Sequence, residues 1–322
     1  MDEHVLVTGG AGFIGSHVVD ALLGAGARVT VLDKLTYAGS LANLADHQGH
    51  ERFRFVRGDV ADPTVVEPLV ADVDRVLHAA GETHVDRSIA GPAEFVVTNI
   101  VGAQVMLDAC RDHDRPMLMI STDEVYGQND PDGLFDETAS MHPRSPYAAS
   151  KAGAELLARA YSITYDLPVW VVRGTNAFGP RQNPEKAIPV FTMAALEGRP
   201  LPVYAQGRQS REWLYVTDWA AACIVALRQG KPGDVLNIGS GHELTNLELA
   251  RRICRLAGAD ESLVSLVEDR PGHDLRYGVS GERLRDLGWA PSVSFDEGLE
   301  RTVAWYGENL AWVRDMRAGA AR

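Results

Sequence analysis

The sequence predicts an α/β fold: a doubly wound parallel sheet with a smaller interleaved α/β domain. Three observations predict it: short aliphatic or β-branched runs alternate with helical segments, a glycine run follows the first of them, and the alternation breaks after about residue 175. Strands that helices cover on both faces carry such continuous apolar runs. The chain has 322 residues, 45% of them hydrophobic and 23% charged, which is enough for one or two domains.

The apolar runs locate the strands of the first half. In chain order they are Val5–Val7, Arg28–Leu32, Phe53–Val56, Asp74–His78, Met117–Ile120 and Val169–Val172. The chain returns to this core later, with a predicted helix over Trp219–Leu227 and a predicted strand over Val235–Ile238. Pro- and Gly-rich connections lie between and after these segments. We therefore expect one domain from residues 1–175 and 215–240, and a second from 176–214 and 241–322.

The glycine run lies at the first strand-to-helix turn. Without Cβ atoms, Gly9, Gly12 and Gly15 allow a tight bend and a close backbone approach to a pyrophosphate, and the helix that follows points its N-terminal amides at that anion. This pattern is typical of a Rossmann dinucleotide site. Asp33 ends the second strand, where a carboxylate accepts both ribose hydroxyls and repels a 2′-phosphate, which favours NAD over NADP. The alternative is an ordinary turn residue or helix cap.

Tyr147 and Lys151 are four residues apart on a predicted helix that begins after Ser145, so both lie on one face. A nearby cation favours the phenolate, and we expect it to lower the Tyr147 pKa towards working pH. Such a tyrosine can take the proton of an alcohol while the carbon gives a hydride to NAD. On spacing alone, a solvated helix face is the far more common explanation of such a pair; behind a Rossmann motif, catalysis is favoured instead.

Thr122, Asp123 and Glu124 follow a predicted central strand, at the end where open α/β sheets place their chemistry. Thr122 can hydrogen-bond a reacting oxygen. A dehydration needs one acid for the leaving hydroxyl and one base for a carbon-bound proton, and adjacent carboxyl groups supply both if the site separates their pKa values. The alternative is a capped, solvated strand end.

Composition excludes several other classes of protein. The net charge of -13 argues against a nucleic-acid partner, because such proteins cluster Lys and Arg against phosphates. Cys110, Cys223 and Cys254 are far apart, form no zinc pattern and are expected to be reduced core residues; no metal site is predicted. The N-terminus lacks a signal-peptide pattern, and no uncharged apolar run approaches the roughly 20 residues of a membrane span. We expect a cytoplasmic protein with no membrane partner.

The motifs resemble those of the extended short-chain dehydrogenase/reductases (the NAD-dependent epimerase/dehydratase family), and within them the dTDP-glucose 4,6-dehydratases. The resemblance spans nearly the whole chain and is carried by Thr8–His17, Asp33–Gly39, Glu82–Ile89, Ser121–Gly127, Ser145–Lys151, Pro184–Lys186, Arg208–Trp213 and Asp269–Asp274. It implies an NAD-dependent hydro-lyase of deoxysugar biosynthesis, with a Rossmann NAD-binding domain and a sugar-nucleotide-binding domain. It also implies a homodimer whose helical interface contains the Tyr147 helix.

The resemblance implies a redox-neutral reaction on dTDP-glucose. Tyr147, assisted by Lys151 and Thr122, would oxidise C4 by hydride transfer to bound NAD. Glu124 would then remove the C5 proton while Asp123 protonates the C6 hydroxyl, which leaves as water. Return of the hydride to C6 would give dTDP-4-keto-6-deoxyglucose and regenerate NAD.

The motifs and the resemblance together give two sets of binding residues. For the cofactor they are Gly9, Gly12, Phe13, Ile14, Gly15, Asp33, Lys34, Thr36, Asp59, Val60, Ala79, Ala80, Thr98, Tyr147 and Lys151. For the substrate they are Thr83, Thr122, Asn176, Lys186, Arg211, Asn246, Arg270, His273 and Tyr277. Arg211 suits a diphosphate because a guanidinium binds it bidentately. Without the family pattern, a surface ion pair is the ordinary interpretation of such an arginine.

The chain departs from the family pattern at two positions. Ala177 stands where the family has a second Asn, which removes one side-chain amide near the nicotinamide or diphosphate, and Gly81 stands where Ala is common. Three rival functions remain open: a dehydratase of another nucleotide hexose, a nucleotide-sugar 4-epimerase or decarboxylase, and an NAD-sensing protein without catalysis. The Asp123 and Glu124 pair favours dehydration over epimerisation, and the intact catalytic set argues against the sensor.

Overall fold

The computed structural model describes residues 3–130, 133–269 and 274–320. Its strands are β1 His4–Thr8, β2 Arg28–Asp33, β3 Phe53–Arg57, β4 Arg75–His78, β5 Met117–Thr122, β6 Val169–Gly174, β7 Asn176–Phe178, β8 Leu201–Tyr204, β9 Ser210–Tyr215, β10 Val235–Ile238, β11 Glu243–Thr245 and β12 Val264–Val267. Its helices are α1 Phe13–Gly24, α2 Pro63–Ala71, α3 Val85–Ala90, α4 Pro92–Phe95, α5 Gly102–Asp112, α6 Pro146–Tyr165, α7 Ala187–Leu196, α8 Val216–Gln229, α9 Asn246–Leu256, α10 Glu282–Asp286, α11 Phe295–Glu308 and α12 Leu310–Ala320.

The central sheet has seven parallel strands in the order β10-β6-β5-β4-β1-β2-β3. The order reverses between β1 and β4, which is the switch point where doubly wound sheets bind dinucleotides. All the strands predicted from apolar runs are present, and the predicted Trp219–Leu227 helix lies within α8. The predicted Rossmann-like α/β fold is confirmed.

Apolar side chains form a separate core on each face of this sheet. One core joins β1 and β2 to α1 and α8, with Val19 and Cys223 at its centre, and it also receives Leu284 of α10. The other joins the sheet to α2, α5 and α6, with Met106 and Cys110 buried in it. Cys254 lies in a third core, and all three cysteines are buried and free, as expected for reduced core residues.

The third core belongs to the C-terminal half of the chain. It joins α7, α9 and α11 to a three-stranded sheet, β11-β9-β7, and a two-stranded sheet, β12-β8. Strand β7 pairs in parallel with β9, and β9 in antiparallel with β11. Strand β7 begins two residues after β6, and helix α8 contacts β5, β6, β7 and β9, which connects this half to the main sheet. The exact division into two domains stays a prediction.

One helical stretch, Pro92–Asp112, is long and apolar enough to cross a membrane by length and composition, with a mean hydropathy of 1.3. It runs through α4, a π-helical segment at Val96–Val101 and α5. Its inner side chains, among them Met106 and Leu107, pack in the core beneath α2 and α6. A core helix gives the same length and hydropathy, so this stretch is weak grounds for a membrane span.

Candidate active site

A long cavity lies at the carboxyl edge of the central sheet, across the switch point between β1 and β4. Every residue of the predicted cofactor set lines it. So do the predicted catalytic residues Thr122, Asp123, Glu124, Tyr147 and Lys151, together with Thr83, Asn176 and Lys186 of the predicted substrate set. The fold therefore brings groups from many different stretches of the chain into one cavity.

The glycine turn leaves a cradle that side chains would fill. Gly9 adopts a φ of +69°, and its carbonyl oxygen accepts a 3.1 Å hydrogen bond from the Gly12 amide. A Cβ at Gly15 would lie 2.2 Å from that same carbonyl oxygen. Helix α1 begins at Phe13 with no side-chain cap on its first amides, which leaves them facing the cavity. This geometry fits a dinucleotide pyrophosphate.

Asp33 fixes the turn to the end of β2. One carboxylate oxygen accepts the Ala11 amide at 2.9 Å and the other accepts the Leu35 amide at 2.8 Å. Burial raises the pKa of this carboxyl, while the two amides oppose the shift. The next residue, Lys34, pairs its Nζ with Asp59 at 2.8 Å, and both residues line the cavity. The carboxylate at this strand end fits a ribose, as predicted for NAD.

Helix α6 carries Tyr147 and Lys151 into the cavity. Ser145 caps the helix by accepting the Ala148 amide, and Pro146 occupies the first helical position, where its missing N–H costs nothing. Both catalytic side chains are buried, and Lys151 Nζ donates to the Ile120 carbonyl oxygen at 2.6 Å. Burial lowers the pKa of Lys151 to about 8, although the Glu155 charge opposes this.

The predicted lowering of the Tyr147 pKa is wrong in this structure. Burial raises the pKa of the phenol first, and the Glu124 and Asp123 carboxyl groups raise it further, while a hydrogen bond with Thr122 lowers it. The physical reason is that Lys151 directs its ammonium at a backbone carbonyl, whereas two acidic groups face the phenol.

The end of β5 holds the two carboxyl groups in different surroundings. A short 3₁₀ turn at Asp123–Tyr126 follows the strand, and Thr122 caps it by accepting the Glu124 amide at 3.2 Å. Asp123 is buried; one of its oxygens accepts the Thr122 hydroxyl at 3.2 Å, and the other has no hydrogen-bond partner among the described residues. Burial first, then Glu124 and Glu212, raise the pKa of Asp123 well above its usual value. A carboxyl group whose raised pKa favours the protonated form, beside a second carboxyl group that is only half-buried, suits the acid and base of a dehydration.

The predicted substrate residues separate into two groups. Thr83, Asn176 and Lys186 line the cavity, and Lys186 Nζ donates to the Thr83 carbonyl oxygen at 2.9 Å. Other members lie outside its lining: Asn246 begins α9, and Arg211 donates from its guanidinium to the carbonyl oxygens of Ser210, Asp274 and Leu275.

Arg211 also stacks over the ring of Tyr277, with 4.4 Å between the guanidinium carbon and the ring centre. The Tyr277 hydroxyl donates to Asp274. Arg270 and His273 lie outside the described residues. The binding role of every member of the predicted set stays a prediction.

Sequence reasoning missed several residues that the structure places at or beside the cavity. Glu82, Gln182, Asn183 and Glu185 line it. Glu212 is buried and accepts the Gly241 amide at 2.6 Å, close enough to Asp123 to influence its pKa. Glu82, Glu185 and Glu212 lie within segments that carry the family resemblance, and Asn183 directly precedes one, so the resemblance was the available signal. Local spacing gives none of these residues a role.

A Rossmann sheet, a glycine cradle, a buried Tyr and Lys on one helix and a strand-end acid pair define an NAD-dependent enzyme of the short-chain dehydrogenase/reductase class. The chain belongs to the GDP-mannose 4,6 dehydratase family, whose sequence profile matches residues 6–302.

Similar proteins cover almost the whole chain. The low-salt glycan biosynthesis protein Agl12 of Haloferax volcanii is 52% identical over 94% of this chain and 98% of its own length. A dTDP-glucose 4,6-dehydratase of Streptomyces niveus is 48% identical over 98% of this chain and 96% of its own. The crystal structure of DesIV, a dTDP-glucose 4,6-dehydratase of Streptomyces venezuelae with NAD bound, superposes with a TM-score of 0.95 at 46% identity, covering 97% of this chain and 99% of that one.

Proposed function

We propose that the protein is a 4,6-dehydratase that converts dTDP-glucose to dTDP-4-keto-6-deoxyglucose and water, with NAD as its recycled cofactor. The observation that carries this proposal is the pair Asp123 and Glu124, which share a cavity with Tyr147 and Lys151. Oxidation of an alcohol needs only the Tyr and Lys. An acid and a base on the same sheet edge add the two proton transfers of an elimination.

Each proton transfer of the reaction is assigned to a different side chain of the cavity. Tyr147 takes the proton of the C4 hydroxyl as a phenolate, which the hydrogen bond with the Thr122 hydroxyl favours. We assign Lys151, the buried cation one turn further along the same helix, to stabilise that phenolate once substrate and cofactor are bound. Glu124 takes the C5 proton, and Asp123, held neutral by burial, gives its proton to the departing C6 hydroxyl. The glycine turn and Asp33 would hold NAD, which would supply the hydride acceptor for C4 and the hydride donor for C6.

The choice of dTDP-glucose rests on the relatives that carry that name and on the DesIV structure, which also contains dTDP. We assign Lys186, Asn176 and Thr83 to the sugar nucleotide because they line the cavity beyond the catalytic residues. Arg211, Asn246, Tyr277, Arg270 and His273 are proposed to complete the nucleotide site.

We also propose a cytoplasmic homodimer. Leu156 and Ile163 of α6 are 54% and 70% exposed, and the adjoining Val96, Val97 and Val101 are exposed as well. The segment Val96–Val101 packs directly against α6, so these side chains belong to neighbouring surfaces. A pair of apolar helix faces of this kind is typical of a subunit interface. Three buried free cysteines suit a reducing compartment.

A single-turnover experiment with two variants tests the division of roles. With bound NAD and dTDP-glucose, Glu124→Gln is expected to stall after C4 oxidation and to accumulate reduced nicotinamide, which is measured by its near-ultraviolet absorbance. Tyr147→Phe is expected to form none, because no base takes the C4 hydroxyl proton. Equal absorbance in the two variants would refute this assignment.

A panel of nucleotide sugars tests the substrate. The wild-type enzyme is expected to release a 4-keto-6-deoxy sugar from dTDP-glucose faster than from UDP-glucose, CDP-glucose, GDP-glucose or GDP-mannose. Faster turnover of another member would move the assignment to that nucleotide or hexose. Recovery of a C4 epimer without loss of water would identify an epimerase instead.

A further inference from the structure

A network of buried polar side chains lies immediately behind the catalytic residues. Its centre is Glu155 of α6, which is 4% exposed. One carboxylate oxygen accepts the Ser121 hydroxyl from the end of β5. The other accepts a hydrogen bond from Arg173 Nε of β6 at 2.8 Å and forms an ion pair with Arg173 Nη2 at 2.7 Å. A single carboxylate thus connects the catalytic helix to two neighbouring strands of the sheet.

Arg173 extends the network towards β10. Its guanidinium carbon lies 4.6 Å from the centre of the Tyr126 ring, and the Tyr126 hydroxyl donates to Asn237 at 2.9 Å. Arg173 is 5% exposed, and its Nη1 is buried without a hydrogen-bond partner among the described residues. Such a pair is costly, because desolvation of two buried charges offsets much of their attraction. Stability alone is therefore a weak explanation for an ion pair at this position.

The position of Glu155 suggests a functional explanation for the ion pair. Tyr147, Lys151 and Glu155 succeed one another at intervals of four residues along α6, so all three lie on one face of the helix. Ser121, which Glu155 holds, directly precedes Thr122 and Asp123 in the chain, and Lys151 donates to the carbonyl of Ile120 on the same strand. Glu155 therefore borders both the Lys151 ammonium and the strand end that carries the proposed acid.

We propose that Glu155 is a positioning residue of this active site: its carboxylate, paired with Arg173, keeps the Lys151 ammonium charged and holds the end of β5 through Ser121. The inference rests on the proposed catalytic role of Lys151. Removal of the Glu155 charge leaves the buried lysine without its compensating anion, so the lysine loses its proton at a lower pH.

The charged groups around Lys151 support this assignment. Burial lowers the Lys151 pKa, and Glu155 is the group that opposes the shift. His78 of β4 also faces Lys151, but burial lowers the pKa of this imidazole to about 3, so it is neutral near pH 7. Burial also raises the pKa values of Tyr147 and Asp123, which favours the neutral form of each. On the side away from Lys151, the Glu155 and Arg173 pair borders a second cavity, which Arg159, Glu137 and Asp234 also line.

Lysine NMR tests the proposal without any need for turnover. The chain contains four lysines, Lys34, Lys151, Lys186 and Lys231, so protein labelled with ¹³C at the lysine ε-carbons gives a spectrum of four sites. The signal that disappears in Lys151→Arg identifies Lys151. In Glu155→Gln we expect Lys151 to titrate about one pH unit below its wild-type value. Glu155→Asp, which keeps the charge, is expected to titrate nearer to the wild type.

Glu155→Gln leaves Arg173 as an unpaired buried cation, which can prevent folding. A second variant therefore tests the same proposal without that unpaired charge. Glu155→Gln with Arg173→Met removes both charges, and we expect its Lys151 to shift in the same direction by a smaller amount. Glu300→Gln, an exposed Glu→Gln change on α11, is the matched control and should leave Lys151 unchanged.

Either folded variant of Glu155 that leaves the Lys151 titration at its wild-type value would overturn the proposal. This result would leave the dehydratase assignment unaffected, because product analysis of the wild-type enzyme tests that assignment separately. In an active enzyme, the alkaline limb of product formation is expected to move to lower pH together with the Lys151 signal.

Discussion

Two neighbouring carboxyl groups, Asp123 and Glu124, meet different surroundings although they are adjacent in the chain. Asp123 turns into the protein and has one oxygen without a hydrogen-bond partner among the described residues, so burial raises its pKa. Glu124 is only partly buried and lines the cavity. The sequence predicts that the site separates their pKa values, and the shift at Asp123 agrees with its proposed role as the acid.

The raised pKa of Asp123 predicts a gain in stability on substitution. A group whose pKa is higher in the folded state stabilises the protein fully below its unfolded pKa and loses that contribution as pH rises through the folded value. Asparagine does not ionise, so Asp123→Asn avoids the destabilisation that ionisation of the buried carboxyl group causes at high pH. We expect a higher melting temperature than in the wild type, with a larger difference at pH 8 than at pH 4. Thermal unfolding across this pH range measures it. An equal difference at both pH values would show that Asp123 carries no such shift.

At the residue scale, prediction from sequence reaches its limit at groups that depend on distant partners. The Tyr147 and Lys151 spacing correctly places both side chains in one cavity, but the raised Tyr147 pKa depends on carboxyl groups more than twenty residues away. Glu155 and Arg173 each look like ordinary element residues in the sequence, because their pairing arises only where α6 crosses β6.

Among the elements, the turn from β1 into α1 has the least freedom to change. Its glycines pack backbone against backbone, and Gly9 also lies close to the Ala80 amide at the end of β4. The flanking apolar runs and the glycine spacing predict this element from sequence, since both signals are local. The short strands β7, β11 and β12 are not predicted, because three or four residues carry no periodicity and form only through pairing with distant strands.

Two glycine substitutions in the same helix separate cofactor binding from helix stability. Gly15→Ala would place a Cβ 2.2 Å from the Gly9 carbonyl oxygen, so the turn must shift, and we expect NAD affinity to fall at least tenfold. Gly24→Ala meets nothing within 4 Å and should stabilise the helix by about 0.5 kcal/mol with unchanged affinity. Calorimetric titration with NAD measures both. Wild-type affinity in a folded Gly15→Ala variant would contradict the proposed cradle.

For the whole molecule, the sheet order explains why distant segments share one site. The strand order reverses between β1 and β4, and the carboxyl ends of β1, β2, β4 and β5 all meet the cavity there. Alternating apolar runs predict this architecture well. They do not predict which side chains of the C-terminal half reach the cavity, because those positions depend on pairing between distant short segments, such as that of β7 with β9.

The proposed dimer predicts that charges on the outer face of α6 separate the subunits. Leu156→Glu with Ile163→Glu places two carboxylates on the exposed apolar surface, and we expect a shift from dimer to monomer in light scattering. Leu266→Glu is a matched control, because Leu266 is 57% exposed but lies on β12, away from this surface. A doubly substituted protein that remains dimeric would place the interface elsewhere.

The most direct test of the central claim is the reaction of the wild-type enzyme with dTDP-glucose in deuterated water, followed by mass spectrometry and NMR of the sugar. We expect a 4-keto-6-deoxy product with one solvent deuterium at C5, because the C5 proton leaves to Glu124 and is replaced from solvent, and we expect no net consumption of NAD. Unchanged sugar, a C4 epimer, or a product without deuterium at C5 would contradict the account.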